Sequence, residues 1–163
     1  MDIKKVETAN GLKTVADIAQ IVWREHFKGI ISDGQIEYML NKFQSLEAIS
    51  KAVNDEGYAY YIFWEGDTPA GYMGVLKKDG KLFLSKLYLL KEFRKKGFSR
   101  QALSFLENYC QKNGLKSVWL TCNKYNSDSL AVYERLGFKT IDTAVTDIGG
   151  GYVMDDYILE KVF

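Results

Sequence analysis

The chain has 163 residues, 47% of them hydrophobic, which is enough apolar material for one globular domain over residues 1 to 163. Its 22 Lys+Arg against 21 Asp+Glu leave a net charge of +1, so no bulk field favours nucleic acid as a partner. No apolar stretch approaches the ~20 residues that span a bilayer, and Met1-Asp2-Ile3-Lys4-Lys5 lacks the apolar core of a signal peptide, so a cytoplasmic protein without a membrane partner is expected.

In chain order, residues 3 to 8 read as a short strand. Leu12, Val15, Ile18, Ala19 and Val22 then recur at helical spacing, which predicts a helix over 10–27. Ser32 or Asp33 can cap a second helix carrying Ile36, Met39, Leu40 and Phe43, and Ser45 can cap a third over 46–53. Strands are expected over 58–64, 71–77 and 81–90. The short turns between them, Gly66-Asp67-Thr68-Pro69 and Lys78-Asp79-Gly80, imply an antiparallel meander. A helix over 97–112, with Ala102, Leu103, Leu106 and Tyr109 as its apolar stripe, precedes a strand over 117–121. A helix over 127–136 and two strands over 138–146 and 151–161 complete a mixed α/β order, with Gly149-Gly150-Gly151 opening the last of them. Cys110 and Cys122, the latter placed just past the fifth strand, are too few for a disulfide framework and lack metal-ligand spacing. Two reduced thiols and no metal site follow.

The segment LYLLKEFRKKGFS, residues 87 to 99, is the richest in chemistry. An apolar strand runs into a basic turn bearing Gly97, and an amphipathic helix starts at once, so main-chain N–H groups and a helix N-terminus meet at one spot suited to phosphate. Lys86, Lys91, Arg94, Lys95, Lys96 and Arg100 against Glu92 give this stretch a surplus of positive charge. The bland alternative is a glycine turn with a solvated basic face. A Walker loop is excluded because Gly74 and Gly80 have the wrong spacing and Leu82 follows Lys81. A dinucleotide fingerprint is excluded because Gly97 stands alone in its turn.

That segment resembles the acetyl-CoA motif of the GCN5-related N-acetyltransferases (GNAT), R/Q-x-x-G-x-G/A after a strand. NSDSLAVYERLGF, residues 126 to 138, resembles the family's N-x-x-A-x-x-x-Y-x-x-x-G-F block about 30 residues downstream. The order of elements matches along essentially the whole chain. The resemblance implies a mostly antiparallel sheet splayed between its fourth and fifth strands, flanked by helices, with acetyl-CoA entering the split. It places Arg94, Lys95, Lys96, Gly97, Phe98, Ser99 and Arg100 around the pyrophosphate, held more by backbone amides than by side chains. It sets Leu87, Tyr88 and Leu89 along the pantetheine arm, with the leucine side chains in the core. Asn126 and Ser129 fall on the cofactor side, and Tyr133 falls near the thioester sulfur, where it can serve as general acid or be a packed aromatic. Ser99 replaces the motif's last Gly or Ala and can cap the helix. The family often pairs through its C-terminal strands, so a homodimer is compatible with the resemblance.

The implied reaction is direct attack of a primary amine on the acetyl carbonyl. An alkyl amine of pKa ~10.4 carries a free lone pair in only about one molecule in 2,500 at pH 7, a penalty of ~4.6 kcal/mol, so the site must help shed a proton. Ser85 stands where relatives often carry Glu, which leaves ordered water held by Ser85, or His26, as the route. His26 lies at the end of the first helix, where the family builds its acceptor pocket, and is otherwise a capping imidazole. Cys122 as an acyl-accepting nucleophile has no His or acid at an instructive spacing. WREHFKGIISDGQIEYML loosely resembles bacterial small-amine and polyamine acetyltransferases. Trp23, Phe27, Tyr38 and Tyr152 are candidates for an aromatic slot for the acceptor, and Asp142, Asp147, Asp155, Asp156 and Glu160 for an acidic rim. A small cationic amine such as a polyamine is the expected substrate. A peptide α-amine, a CoA-binding module without activity, and a basic nucleic-acid-binding domain are the alternatives.

Overall fold

Three hydroxyl side chains fix the start of three helices in the computed structural model, which describes all 163 residues. Thr8, Ser32 and Ser45 sit in extended backbone and accept hydrogen bonds from Gly11, Gln35 and Ala48 N–H, opening α1 (Ala9–Phe27), α2 (Asp33–Phe43) and α3 (Leu46–Asp55). The first strand, β1 (Asp2–Lys5), therefore ends before the expected residue 8, because Thr8 already serves as the cap.

The meander follows as β2 (Ala59–Glu65), β3 (Thr68–Lys78) and β4 (Lys81–Leu89). A single 3₁₀ turn over Lys91–Phe93, which the sequence did not announce, leads into α4 (Phe98–Asn113). β5 (Ser117–Asn123), α5 (Ser127–Arg135), β6 (Lys139–Gly149) and β7 (Tyr152–Val162) complete the chain. The seven strands are ordered β1-β2-β3-β4-β5-β7-β6, and β4–β5 is the parallel pair in an otherwise antiparallel sheet. That parallel register sets Leu82 opposite Val118 and Phe83 opposite Trp119 at the start of both strands, and it extends no further.

Two compact units divide the fold: Met1–Leu76 with Lys86–Phe98, and Lys77–Ser85 with Ser99–Phe163. In the first, Val15, Ala19, Val22 and Trp23 line the buried face of α1, and Tyr72 of β3 lies fully buried. Its hydroxyl accepts from Trp23 Nε1 (3.1 Å) and donates to Gln44 Oε1 (2.8 Å), while the buried Gln44 amide donates to the Phe43 carbonyl (2.9 Å). The network leaves no partner unmet, which makes so polar a core tolerable. Gly71 is a packing requirement, since a Cβ there would run into the Tyr88 carbonyl and lie 3.0 Å from Leu89 Cα.

In the second unit Ala102, Leu103, Leu106 and Cys110 form the buried stripe of α4. Tyr109, expected in that stripe, is only half-buried and its ring carries the Lys77 ammonium at 5.6 Å; Cys110, one position on, takes the inner face. Phe83 and Trp119 stack with centroids 4.2 Å apart. Cys122 lies within β5, not past it, because β5 pairs with β7 as far as Asn123 opposite Asp156. The glycine run forms the β6–β7 turn instead of opening β7, and Gly149, Gly150 and Gly151 all have positive φ there.

Candidate active site

The turn after β4 is built for main-chain donors. Lys95 (φ +62°) and Gly97 (φ +81°) are both left-handed, and in such a turn successive N–H groups converge into an anion-binding concavity. A non-glycine residue in this conformation is uncommon, so the left-handed Lys95 marks a strained position of the kind that clusters at ligand sites. Nothing lies within 4 Å of a Cβ built on Gly97, so its backbone faces open space. α4 then starts at Phe98 with no acidic residue in its first turn, leaving its positive end uncompensated. Phe98 is buried and stacks on Phe93 at 6.1 Å, anchoring the helix start. Gly97, not Ser99, precedes the first helical residue, so Ser99 is not the cap; it is half-buried in the first turn.

The basic side chains divide in role. Arg94 Nε donates to the Leu89 carbonyl (3.0 Å) and its Nη2 lies 3.7 Å from Glu25 Oε2, so this guanidinium braces the turn. Lys95, Lys96 and Arg100 are exposed, and Lys96 Nζ sits 5.7 Å above the Phe93 ring. Lys86 is half-buried on β4, and burial lowers its ammonium to about 8, which still leaves it charged at pH 7. Leu87 and Leu89 are half-buried rather than core residues, and Tyr88 is half-buried between them.

Trp23, His26, Phe27 and Tyr88 come together in the first unit. Tyr88 lies 5.6 Å from the Trp23 ring, 5.4 Å from His26 and 6.4 Å from Phe27. Trp23 and Phe27 are 3% and 6% exposed and belong to the core, so they cannot line an open slot; His26 and Tyr88 are half-buried. Tyr38 lies on α2, where its hydroxyl accepts from Lys42 (3.2 Å), and Tyr152 opens β7 in the second unit. Ser85 is half-buried on β4.

In the second unit Asn126 is the cap of α5 and accepts from Ser129 N–H (3.2 Å), which ties the two predicted cofactor-side residues to each other. Tyr133 packs edge-on against Phe138 at 5.6 Å, and burial, reinforced by the neighbouring Cys122, holds its hydroxyl well above the ordinary tyrosine value. It stays protonated near neutral pH. Burial, with Asp156 nearby, raises the Cys122 thiol to about 12, which removes it as a nucleophile at neutral pH even though an acid, unseen in the spacing, does adjoin it.

The acidic rim does not form as a continuous edge. Glu160 contacts Lys81 Nζ and Ser117 Oγ (both 2.7 Å), and Asp155 pairs with Lys124 (2.8 Å). Asp142 and Asp147 accept from the backbone at Thr143 and Gly149. Asp156 is different: it is 7% exposed, and its Oδ1 has no hydrogen-bond partner in the protein. Only its place in the β5–β7 register sets it apart from the other four, and sequence spacing does not carry register.

The model of the acetyltransferase (GNAT) family matches residues 15–138. The chain belongs to that family. As a GNAT N-acetyltransferase it uses acetyl-CoA. Over its whole length the chain is 24% identical to the spermidine N(1)-acetyltransferase of Thermoplasma acidophilum, covering 98% of that protein. The solved PaiA N-acetyltransferase of the same organism, in complex with coenzyme A, superposes with a TM-score of 0.81 at 24% identity and full coverage of both chains. The ribosomal-protein-S18-alanine N-acetyltransferase of Escherichia coli superposes at 0.73 with 17% identity, over 99% of this chain and 92% of that one.

Proposed function

We propose that this GNAT enzyme acetylates a small cationic amine, of which a polyamine such as spermidine is the model. The observation that carries the cofactor half of this reading is the left-handed pair Lys95 and Gly97 ahead of an acid-free helix start. Main-chain N–H groups of residues 95 to 99 hold the pyrophosphate, and exposed Lys95, Lys96 and Arg100 add screened attraction. The full-length similarity to a spermidine acetyltransferase supports the acceptor class. Tyr133, protonated near neutrality, donates its O–H to the sulfur as the C–S bond breaks. Two buried, unbridged thiols, Cys110 and Cys122, fit a reducing cytoplasm.

The test is release of free CoA thiol from acetyl-CoA in the presence of spermidine, amino acids and short peptides. Turnover with polyamines in preference to peptides is the expected result; the reverse order replaces the acceptor class. We further propose a second copy of the chain as partner. β6 closes one edge of the sheet and exposes the apolar side chains of Ile141 (55%) and Val145 (69%), which a second copy could cover. Sedimentation across a concentration series reports it.

A further inference from the structure

The geometry points to Asp156 as the carboxylate that receives the acceptor's ammonium group and takes up its proton, a role that rests on the reading above. Ser85, half-buried on β4, has a hydroxyl that does not titrate near neutrality, so it is no base of its own. Of the five acids near the C-terminus, four have partners that fix their role: Lys81, Lys124 or a backbone N–H. Asp156 alone is more than nine-tenths buried with a carboxylate oxygen left unmet, which costs free energy that a purely structural residue would not be expected to retain.

Its position suits the chemistry. Asp156 lies directly opposite Asn123, the last residue of β5, and residues so paired point to one face of the sheet. Cys122 and Tyr157, the adjacent pair, point to the other face. α5 covers that second face: Lys161 Nζ donates to the Leu136 carbonyl (2.8 Å), Leu130 and Glu134 share a hollow with Tyr157 and Leu159, and Tyr133 is near enough to Cys122 to feel its charge. A proton acceptor and a proton donor thus flank the end of β5 from opposite faces.

The ammonium gives one proton to Asp156, the free nitrogen forms the N–C bond with the acetyl carbon, and the C–S bond breaks. Tyr133 passes its proton to sulfur and regains the nitrogen's second proton, while Asp156 releases its own to solvent. Burial first, and Asp155 second, push the Asp156 carboxyl up to about 6, with Lys124 opposing. It is therefore ionised at neutral pH but basic enough to accept a proton.

The experiment compares the intact protein with Asp156→Asn and Asp156→Glu, using acetyl-CoA and spermidine as probes. Both variants should keep the rise in Tm that acetyl-CoA produces in the wild type. Asp156→Asn should lose roughly 100-fold or more in kcat/KM, together with the limb of the pH profile that rises through about pH 6, and Asp156→Glu should recover part of both. An Asp156→Asn enzyme within about threefold of wild type overturns this assignment and leaves the acetyltransferase reading untouched. A variant that loses the acetyl-CoA shift, or keeps the limb at a lower rate, also overturns it, by showing a structural role. Silence of the wild type toward spermidine and every other amine overturns the acceptor reading itself and the base with it.

Discussion

A carboxylate kept in a buried place against its own desolvation leaves a thermodynamic trace. The Asp156 carboxyl has its pKa raised from 3.8 to about 6 in the folded chain, so folding favours its protonated form. That contribution is complete below pH ~4 and is lost as pH rises through ~6, where the folded state must hold an anion that the unfolded chain would solvate. Asp155, Lys124 and Cys122 are the charged and titratable groups that act on it. Two pKa units correspond to ~3 kcal/mol. Asp156→Asn should accordingly be more stable than wild type by up to ~3 kcal/mol at pH 8, with the difference closing below pH ~4, as measured by urea unfolding across pH. Tyr133 permits a complementary test. Tyr133→Phe keeps the ring against Phe138 and removes the donor, so kcat should drop ~100-fold while acetyl-CoA affinity stays within a few-fold.

At the level of elements, the turn after β4 and the contact of β3 with β4 give predictions of opposite kind. Gly97→Val forces a β-branched residue into a left-handed turn whose backbone faces open space. It should abolish acetyl-CoA binding in calorimetry with little change in helix content. Gly71→Ala drives a methyl group into the β4 backbone at Tyr88 and should cost ~2 kcal/mol or more of stability, read by thermal unfolding, wherever acetyl-CoA binds. The first of these glycines was legible in the sequence because its motif is local: strand, basic turn, helix and the spacing to Tyr133 are all written along the chain. The Ser32 and Ser45 caps and most positions of the helix stripes were legible for the same reason, whereas Thr8 reads as strand in the sequence and boundaries moved by up to three residues, as where β1 ends at Lys5, β3 starts at Thr68 and β6 runs to Gly149. Gly71 was not legible, because its meaning depends on a backbone 17 residues away in sequence and adjacent only through pairing. Asp156 failed for the same reason. The count of five acids was visible, but which ones lysines and backbone amides satisfy is decided by register across β5, β6 and β7. Trp23 and Phe27 look like slot-lining aromatics in sequence and prove to be core, since Tyr72 and Tyr88 reach them from distant strands.

For the whole molecule, a net charge of +1 means that association with acetyl-CoA rests on a local arrangement and not on a global field. The lysines that could add long-range attraction are exposed, so their share is screened beyond ~8 Å at physiological salt, whereas hydrogen bonds from main-chain N–H groups are not removed by salt. Raising the salt should therefore weaken acetyl-CoA binding only a few-fold. A nucleic-acid-binding domain holding several phosphates through Lys and Arg would lose ~10³-fold or more between 50 and 200 mM salt. Linkage gives the size of the thermal effect. A ligand at 100 times its Kd that binds only the folded state adds ~2.7 kcal/mol, and for a chain of this length each kcal/mol moves Tm by roughly 2 to 4 °C. Acetyl-CoA at that ratio should raise Tm by roughly 5 to 10 °C in both 50 and 200 mM salt, Gly97→Val should show no rise, and an equal concentration of duplex DNA should leave the wild type unmoved. A shift that vanished at the higher salt would assign the binding to Lys95, Lys96 and Arg100 in place of the backbone of the turn.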